Sequence, residues 1–396
     1  MVNDIYLITI DCLRYDKCGF SGYEKDTTPN IDKLAENGAV FEDAIAPGPR
    51  TSESIPGILS GRHSYQCDYV EELSYKSIPN NAETFASWLS NHGYTTVGIV
   101  ANPQLTPIRN FDAGFDKFRN IRIESQGDKF SEEGDTSGNP VLGVGRALLR
   151  QMENSPLPLN PVRLAFVGYR IKQLYDGWPT IDGKIVIDNL MSYMSDREGP
   201  MFAWTHLNDL HTPIHPRRAK EGGMANHSSL RQFWDDSKRV RHQYAPIYEK
   251  AYDSVLKYID AQVGRFIDFL KNEDRWEKSL VIVTADHGDS MLEHGYYDHG
   301  AGAEQRICND DRDYLYRDLL HVPLVLSGPQ VSQTRIQKSF SLTWLNELVA
   351  QTVNIERGDF PIEKDIGNIS IREFYPSRPV IADALTERGH TIVAHD

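Results

Sequence analysis

Nowhere in its 396 residues does the chain run through the ~20 consecutive apolar positions that a membrane-crossing helix needs. The opening residues, Met1-Val2-Asn3-Asp4, put no basic segment ahead of an apolar one, so no secretory leader is expected. Basic clusters are also missing. Lys and Arg number 42 against 56 Asp and Glu, a net charge of −14. That excludes a nucleic-acid groove, which needs clustered Lys and Arg. Cysteines are few: Cys12, Cys18, Cys67 and Cys308 form no metal-type CxxC pair, and four in a chain this long make no disulfide framework. A soluble protein in the reducing cytoplasm is the expectation. There is no internal repeat or low-complexity tract. With 40% hydrophobic and 25% charged residues, disordered and fibrous classes are excluded too.

What is present is an alternation of strand and helix. Ile5-Tyr6-Leu7-Ile8-Thr9-Ile10 is a short apolar, β-branched run of the kind buried on both faces of a sheet. Further strands are predicted over 40–46, 95–101, 201–207, 279–285 and 322–326, and helices over 31–37, 52–60, 81–91, 181–194, 248–270 and 342–353. This order predicts an α/β fold with a mainly parallel sheet covered by helices on both sides. Residues 120–180 break the rhythm and read as an insertion or cap packed over the mouth of the site, the alternative for the apolar, Arg-bearing stretch 162–170 being a surface that touches lipid. The division expected is a large domain over 1–330 and a small C-terminal portion over 331–396, in which 380–383 is the best strand candidate.

Two acidic positions stand directly after predicted strands: Asp11, and the pair Asp286-His287. In an open α/β sheet the carboxyl ends of the strands form the ligand-binding edge. A divalent cation takes anionic oxygens, and a histidine nitrogen suits zinc or manganese. Asp11 alone reads equally well as a turn residue; the two positions at one edge point to a metal.

These residues belong to a longer series. Ile8-Thr9-Ile10-Asp11-Cys12-Leu13-Arg14-Tyr15-Asp16 and Thr28-Pro29-Asn30-Ile31-Asp32-Lys33-Leu34-Ala35 resemble the opening of the sulfatase branch of the alkaline-phosphatase superfamily. Thr51-Ser52-Glu53-Ser54-Ile55-Pro56-Gly57-Ile58-Leu59-Ser60-Gly61-Arg62 is similar to its nucleophile segment. Asn208-Asp209-Leu210-His211-Thr212-Pro213, Thr284-Ala285-Asp286-His287-Gly288, Glu293-His294-Gly295 and His321-Val322-Pro323-Leu324-Val325 follow in family order. The resemblance implies an alkaline-phosphatase-like fold. It also implies one divalent metal ion (Zn, Mn, Mg or Ca) held by Asp11, Asp286 and His287, with the nucleophile Thr51 touching it. His211 and His299 match positions that bind the transferred group or protonate the leaving group. Arg14 is a substrate-binding candidate that reads equally well as structural. A second metal set could draw on Asp209, His211 and His215, or on Asp298 and His299; one metal is expected.

Two departures shape the chemistry. Family sulfatases place Cys or Ser at the nucleophile and oxidise it to formylglycine; Thr51 cannot become that aldehyde, and residues 53 and 55 are Glu and Ile instead of Pro and Arg. No formylglycine is expected, and the hydroxyl itself must attack, activated by a base or a cation. Cys12 stands where sulfatases commonly place a second Asp, which disfavours calcium; it is an extra-ligand candidate or simply a buried strand-end residue. A threonine ester cannot expel sulfate by the formylglycine route, so phosphoesters are the preferred substrates. The alternatives are a sulfuric ester hydrolase, a phospho-head-group transferase acting on a sugar or lipid acceptor, and a degenerate binding protein. A small-molecule, glycan or lipid ester is the expected partner, and a homodimer the default assembly.

Overall fold

The computed structural model describes residues 4–70, 75–124, 180–195, 197–212, 214–225, 245–291, 293, 299, 315–355, 380–386 and 389–395. Most of the insertion expected over 120–180, as well as His294, Asp298 and Cys308, lies outside these residues. The strands are β1 (Asp4–Ile10), β2 (Ala39–Ile45), β3 (Asp68–Val70), β4 (Tyr75–Ser77), β5 (Thr95–Val100), β6 (Lys117–Asn120), β7 (Met201–Leu207), β8 (Ser279–Ala285), β9 (His321–Ser327), β10 (Thr334–Ile336), β11 (Phe340–Ser341), β12 (Val380–Thr386) and β13 (Gly389–His395). The α-helices described are α1 (Pro29–Glu36), α2 (Thr51–Ser60), α3 (Phe85–Asn91), α4 (Gly183–Ser195), α5 (Pro216–Glu221), α6 (Ala245–Asn272), α7 (Arg317–Leu320) and α8 (Leu345–Val353).

Nine strands form one sheet in the order β10-β2-β9-β8-β1-β7-β5-β6, with β11 also on β2. The fold is α/β and mainly parallel, as expected. Only β9 runs against its neighbours, β2 and β8. At the centre, every residue of β1, β7 and β8 is buried, which is why these strands read as unbroken apolar runs. Helices cover both faces. Tyr6 on β1 meets Phe266 of α6 edge to face, with ring centroids 5.3 Å apart, a contact worth about 0.5–1.5 kcal/mol beyond its buried area. Phe202 on β7 is in register with Ile5, so it points to the opposite face, where it packs on Phe85 of α3.

Differences from the predicted boundaries have local causes. Helix α3 starts at Phe85, not at 81, because Thr84 forms a capping box: its hydroxyl accepts from the Ser87 N–H at 3.0 Å, and its own N–H donates to Ser87 Oγ at 2.8 Å. Residues 342–344 form a 3₁₀ turn leading into α8. Strands β10 and β11, in the portion assigned to the C-terminus, pair with β2 of the large sheet, whereas β12 and β13 form a separate antiparallel hairpin. Among the described residues, no helix is long and apolar enough to cross a membrane.

Candidate active site

The carboxyl ends of the parallel strands collect the polar residues. Asp11 follows β1, Asn102 follows β5, Asn208 follows β7 and Asp286 follows β8, all of them buried. Thr51 comes to the same edge as the first residue of α2, where the positive end of the helix favours negative charge.

The centre of the site is His287 Nε2. Nδ1 of that ring lies 2.7 Å from the Gly288 carbonyl oxygen, which can only accept, so Nδ1 carries the proton and Nε2 presents a lone pair. Three oxygens surround it at 3.4 Å each: Asp11 Oδ1, Asp286 Oδ2 and Thr51 Oγ1. Tetrahedral bonds of about 2.0–2.3 Å to one ion would set ligand atoms about 3.3–3.7 Å apart. The carboxylates and the imidazole are wholly buried, and Asp286 Oδ2 has no hydrogen-bond partner among the described residues. A buried carboxylate oxygen left unpaired beside an imidazole lone pair is what a cation would complete, so these residues fit a divalent ion.

Electrostatics agree with that fit. Burial works against charge on Asp11, yet its neighbours, the His206 imidazole first among them, hold its carboxyl well below the usual carboxylate range. Burial lowers the His287 ring below its ordinary value, against the pull of Asp286, which keeps it neutral. Gly288 is required by packing: a Cβ there would collide with the Asp318 carbonyl oxygen.

His299 and His211 flank this centre. The His299 ring lies 4.2 Å from that of His287, and the His211 ring meets His299 edge-on at 5.0 Å. Cys12 is fully buried, with Sγ 3.2 Å from Asp11 Oδ1 and 3.5 Å from His299 Nδ1. Its φ of 63° is left-handed, which costs a residue with a Cβ roughly 1–2 kcal/mol.

Other expected residues are held by partners of their own. The Arg14 guanidinium grips Asp16 at 2.8 and 2.7 Å, Glu293 at 2.6 Å and the Asp289 carbonyl at 3.1 Å. Those contacts support the structural of its two readings: it ties the loop after β1 to the segment after β8. Asp209 and His215 are not gathered into a second metal set. Asp209 pairs with Arg218 at 3.0 Å and accepts from the Gly183 N–H at 3.1 Å, while His215 caps α5 by accepting from the Arg217 N–H. Two residues at the edge carried no recognised motif. Asn102 donates to Asp11 Oδ2 at 3.3 Å, and His206, buried on β7, sits with Nε2 3.7 Å from the same oxygen. Asn102 could have been noticed as a polar residue closing an apolar strand, as Asp11 does.

The buried Asp209–Arg218 pair yields a stability prediction. Burial pushes the Asp209 carboxyl up to about 6 despite Arg218. Between the unfolded value near 4 and the folded value, the folded state holds a proton that the unfolded chain has released. Its stabilising contribution is therefore complete below about pH 4 and is lost as pH rises through about 6, roughly 3 kcal/mol in all. Urea unfolding of wild type and Asp209→Asn at pH 4, 5, 6 and 7 should show the variant losing about that much less over the interval; parallel profiles would refute the assignment.

Comparison with known proteins places the arrangement. The sequence model of the sulfatase family matches residues 3–353. An arylsulfatase of Clostridium perfringens is 23% identical over 332 residues, 76% of this chain and 66% of the relative. The Delta 4,5-hexuronate-2-O-sulfatase of Bacteroides thetaiotaomicron is 21% identical over 335 residues, 83% of this chain and 63% of the relative. This chain thus spans just under two-thirds of the length of either. The structure of a phosphonate monoester hydrolase of Agrobacterium radiobacter superposes with a TM-score of 0.64 at 14% identity, covering 96% of this chain and 80% of that one. At that identity the likeness shows the fold alone. With a family match over most of its length and the strand-end acids in place, the chain belongs to the sulfatase family.

Proposed function

We propose that the protein is an ester hydrolase of sulfatase type that uses Thr51 as nucleophile, passes through a covalent Thr51 ester, and holds one divalent ion at Asp11, Asp286 and His287. The observation that carries this is the Thr51 hydroxyl at the start of α2, 3.4 Å from the His287 lone pair. When bound, the ion supplies positive charge that makes the Thr51 hydroxyl more acidic and offsets charge on the ester. Thr51 Oγ1 gives its proton to solvent and attacks the central sulfur or phosphorus; the bond from Oγ1 to that atom forms as the bond to the alcohol oxygen breaks, and the departing oxygen takes a proton from His211 or His299. His211 is oriented for this by Nδ1, 2.6 Å from the Thr212 carbonyl, which leaves Nε2 for proton transfer. Water then cleaves the Thr51 ester, restoring the hydroxyl and releasing the oxyacid.

Family membership and the curated relatives support a sulfuric ester as substrate, and the hexuronate sulfatase among them suggests a sulfated sugar. The second reading, a phosphate or phosphonate ester, is favoured by Thr51 itself, which has no aldehyde route for expelling sulfate. Turnover of an aryl sulfate, an aryl phosphate and an aryl phosphonate should be compared side by side after stripping and restoring the metal. Sulfate ahead by orders of magnitude selects the first reading, and phosphate or phosphonate ahead selects the second. A protein that binds metal but turns over none of the three would not be an ester hydrolase.

A proton donor matters most when the leaving alcohol is a weak acid. His299→Ala or His211→Ala should therefore slow a sugar or alkyl ester by about 10²–10⁴-fold, while an ester of an acidic phenol loses less than about tenfold. Equal losses on both ester types would remove these histidines from proton transfer.

A further inference from the structure

His287 belongs to two sets of donor residues. One is the oxygen-rich set with Asp11 and Asp286; the other joins Cys12 and His299 to His287, with all ligand atoms within 4.8 Å of one another. The sets touch through Asp11 Oδ1, which is 3.4 Å from His287 Nε2 and 3.2 Å from Cys12 Sγ. The 3.4 Å separation is one that donor atoms on a single small cation show, about 3.3–3.7 Å for bonds of about 2.0–2.3 Å, and at 3.2 Å the Cys12 S–H donates to the same carboxylate oxygen. The independent sign of a ligand is Asp286 Oδ2, fully buried, without a hydrogen-bond partner among the described residues and 3.4 Å from His287 Nε2. A cysteine that merely fills space packs as a small apolar group. Cys12 instead sits in a left-handed backbone conformation that brings its sulfur against a carboxylate and an imidazole.

We infer that Cys12 Sγ is a ligand of the metal ion and that it makes this a zinc site. The inference rests on the proposed metal site and deepens it by naming the ion. Calcium and magnesium require oxygen ligands, whereas a thiolate alongside an imidazole and a carboxylate selects a softer ion. Binding breaks the Cys12 S–H bond and forms a sulfur–zinc bond, with the proton passing to solvent. Cys18 is a different kind of cysteine, its thiol directed at the Arg14 carbonyl oxygen 3.6 Å away.

The test uses the metal-stripped full chain. Cobalt(II) added to wild type should give the near-ultraviolet charge-transfer band of a thiolate ligand. Cys12→Ser should bind cobalt without that band, whereas Cys18→Ser should keep it. Zinc affinity should fall about 100-fold or more in Cys12→Ser, at least the loss seen when a ligand's supporting partner is removed. Calcium and magnesium affinities should change less than about tenfold. X-ray absorption on zinc-loaded wild type needs no variant and should show one sulfur at about 2.3 Å. Wild type that binds zinc with no sulfur neighbour and no cobalt band would overturn the role of Cys12 and leave the metal site standing. Wild type that binds no divalent ion would overturn the metal site, and this inference with it.

Discussion

Thr51→Ala is expected to reduce turnover roughly 10⁴-fold or more while leaving the fold intact, because removing a nucleophile costs far more than removing a binding contact. The side chain is small and sits at the first position of α2, so its loss leaves only a minor gap. Thr51→Ser retains a hydroxyl at the same place and should keep activity within about tenfold. The covalent step gives a second readout. Rapid quenching of wild type with a slow substrate should leave one sulfo or phospho group on the peptide that contains Thr51, and none in the alanine variant. Wild-type rates in Thr51→Ala would show that the hydroxyl is a bystander.

Asp286→Asn should come next in magnitude. The substitution keeps an oxygen to accept the His287 N–H at 2.9 Å but replaces the partnerless Oδ2 with a neutral amide. If the ion supplies several kcal/mol of charge stabilisation, turnover falls roughly 10³-fold. The thermodynamic consequence is separable from activity. Metal at about 100 times its Kd should stabilise the wild type by about 2.7 kcal/mol, and that gain should vanish in the variant. Without metal the variant should be at least as stable as wild type, since a buried, unpaired carboxylate oxygen has been neutralised. Equal metal-dependent shifts in thermal unfolding for the two proteins would exclude Asp286 as a ligand.

Much of this architecture is legible in the sequence because the central strands are buried on both faces. Burial on both faces makes β1, β7 and β8 read as uninterrupted apolar runs, and the polar residue that ends such a run marks the functional edge. Asp11 and Asp286 are found this way, with His287 beside Asp286. The direction of β9 is not legible, because an apolar run looks the same read either way along a sheet. Strand β6 has the sequence Lys117-Phe118-Arg119-Asn120 and lies at the edge of the sheet, so it lacks the apolar signature. His206 is hidden for the opposite reason: one histidine inside a buried strand looks like a tolerated core residue until Asp11 is found opposite it. Asp209 misleads in another way. Its place in a motif with His211 suggests a ligand, but its partner Arg218 becomes visible only once the chain has folded α5 back against it.

The reversed direction of β9 has a consequence for how this protein can change over time. Strand β8 ends at the functional edge, and β9, running the opposite way beside it, begins there. The chain therefore leaves the sheet after Ala285 and re-enters it at His321 on the same side, between adjacent strands. A connection between neighbouring strand ends can change in length without re-threading the sheet. His287 and His299 of the site, and Glu293, which holds Arg14, are fixed points between the two strands. Diversification of substrate range could thus proceed here by insertion and deletion, while the sheet that holds Asp11 and Asp286 is inherited intact.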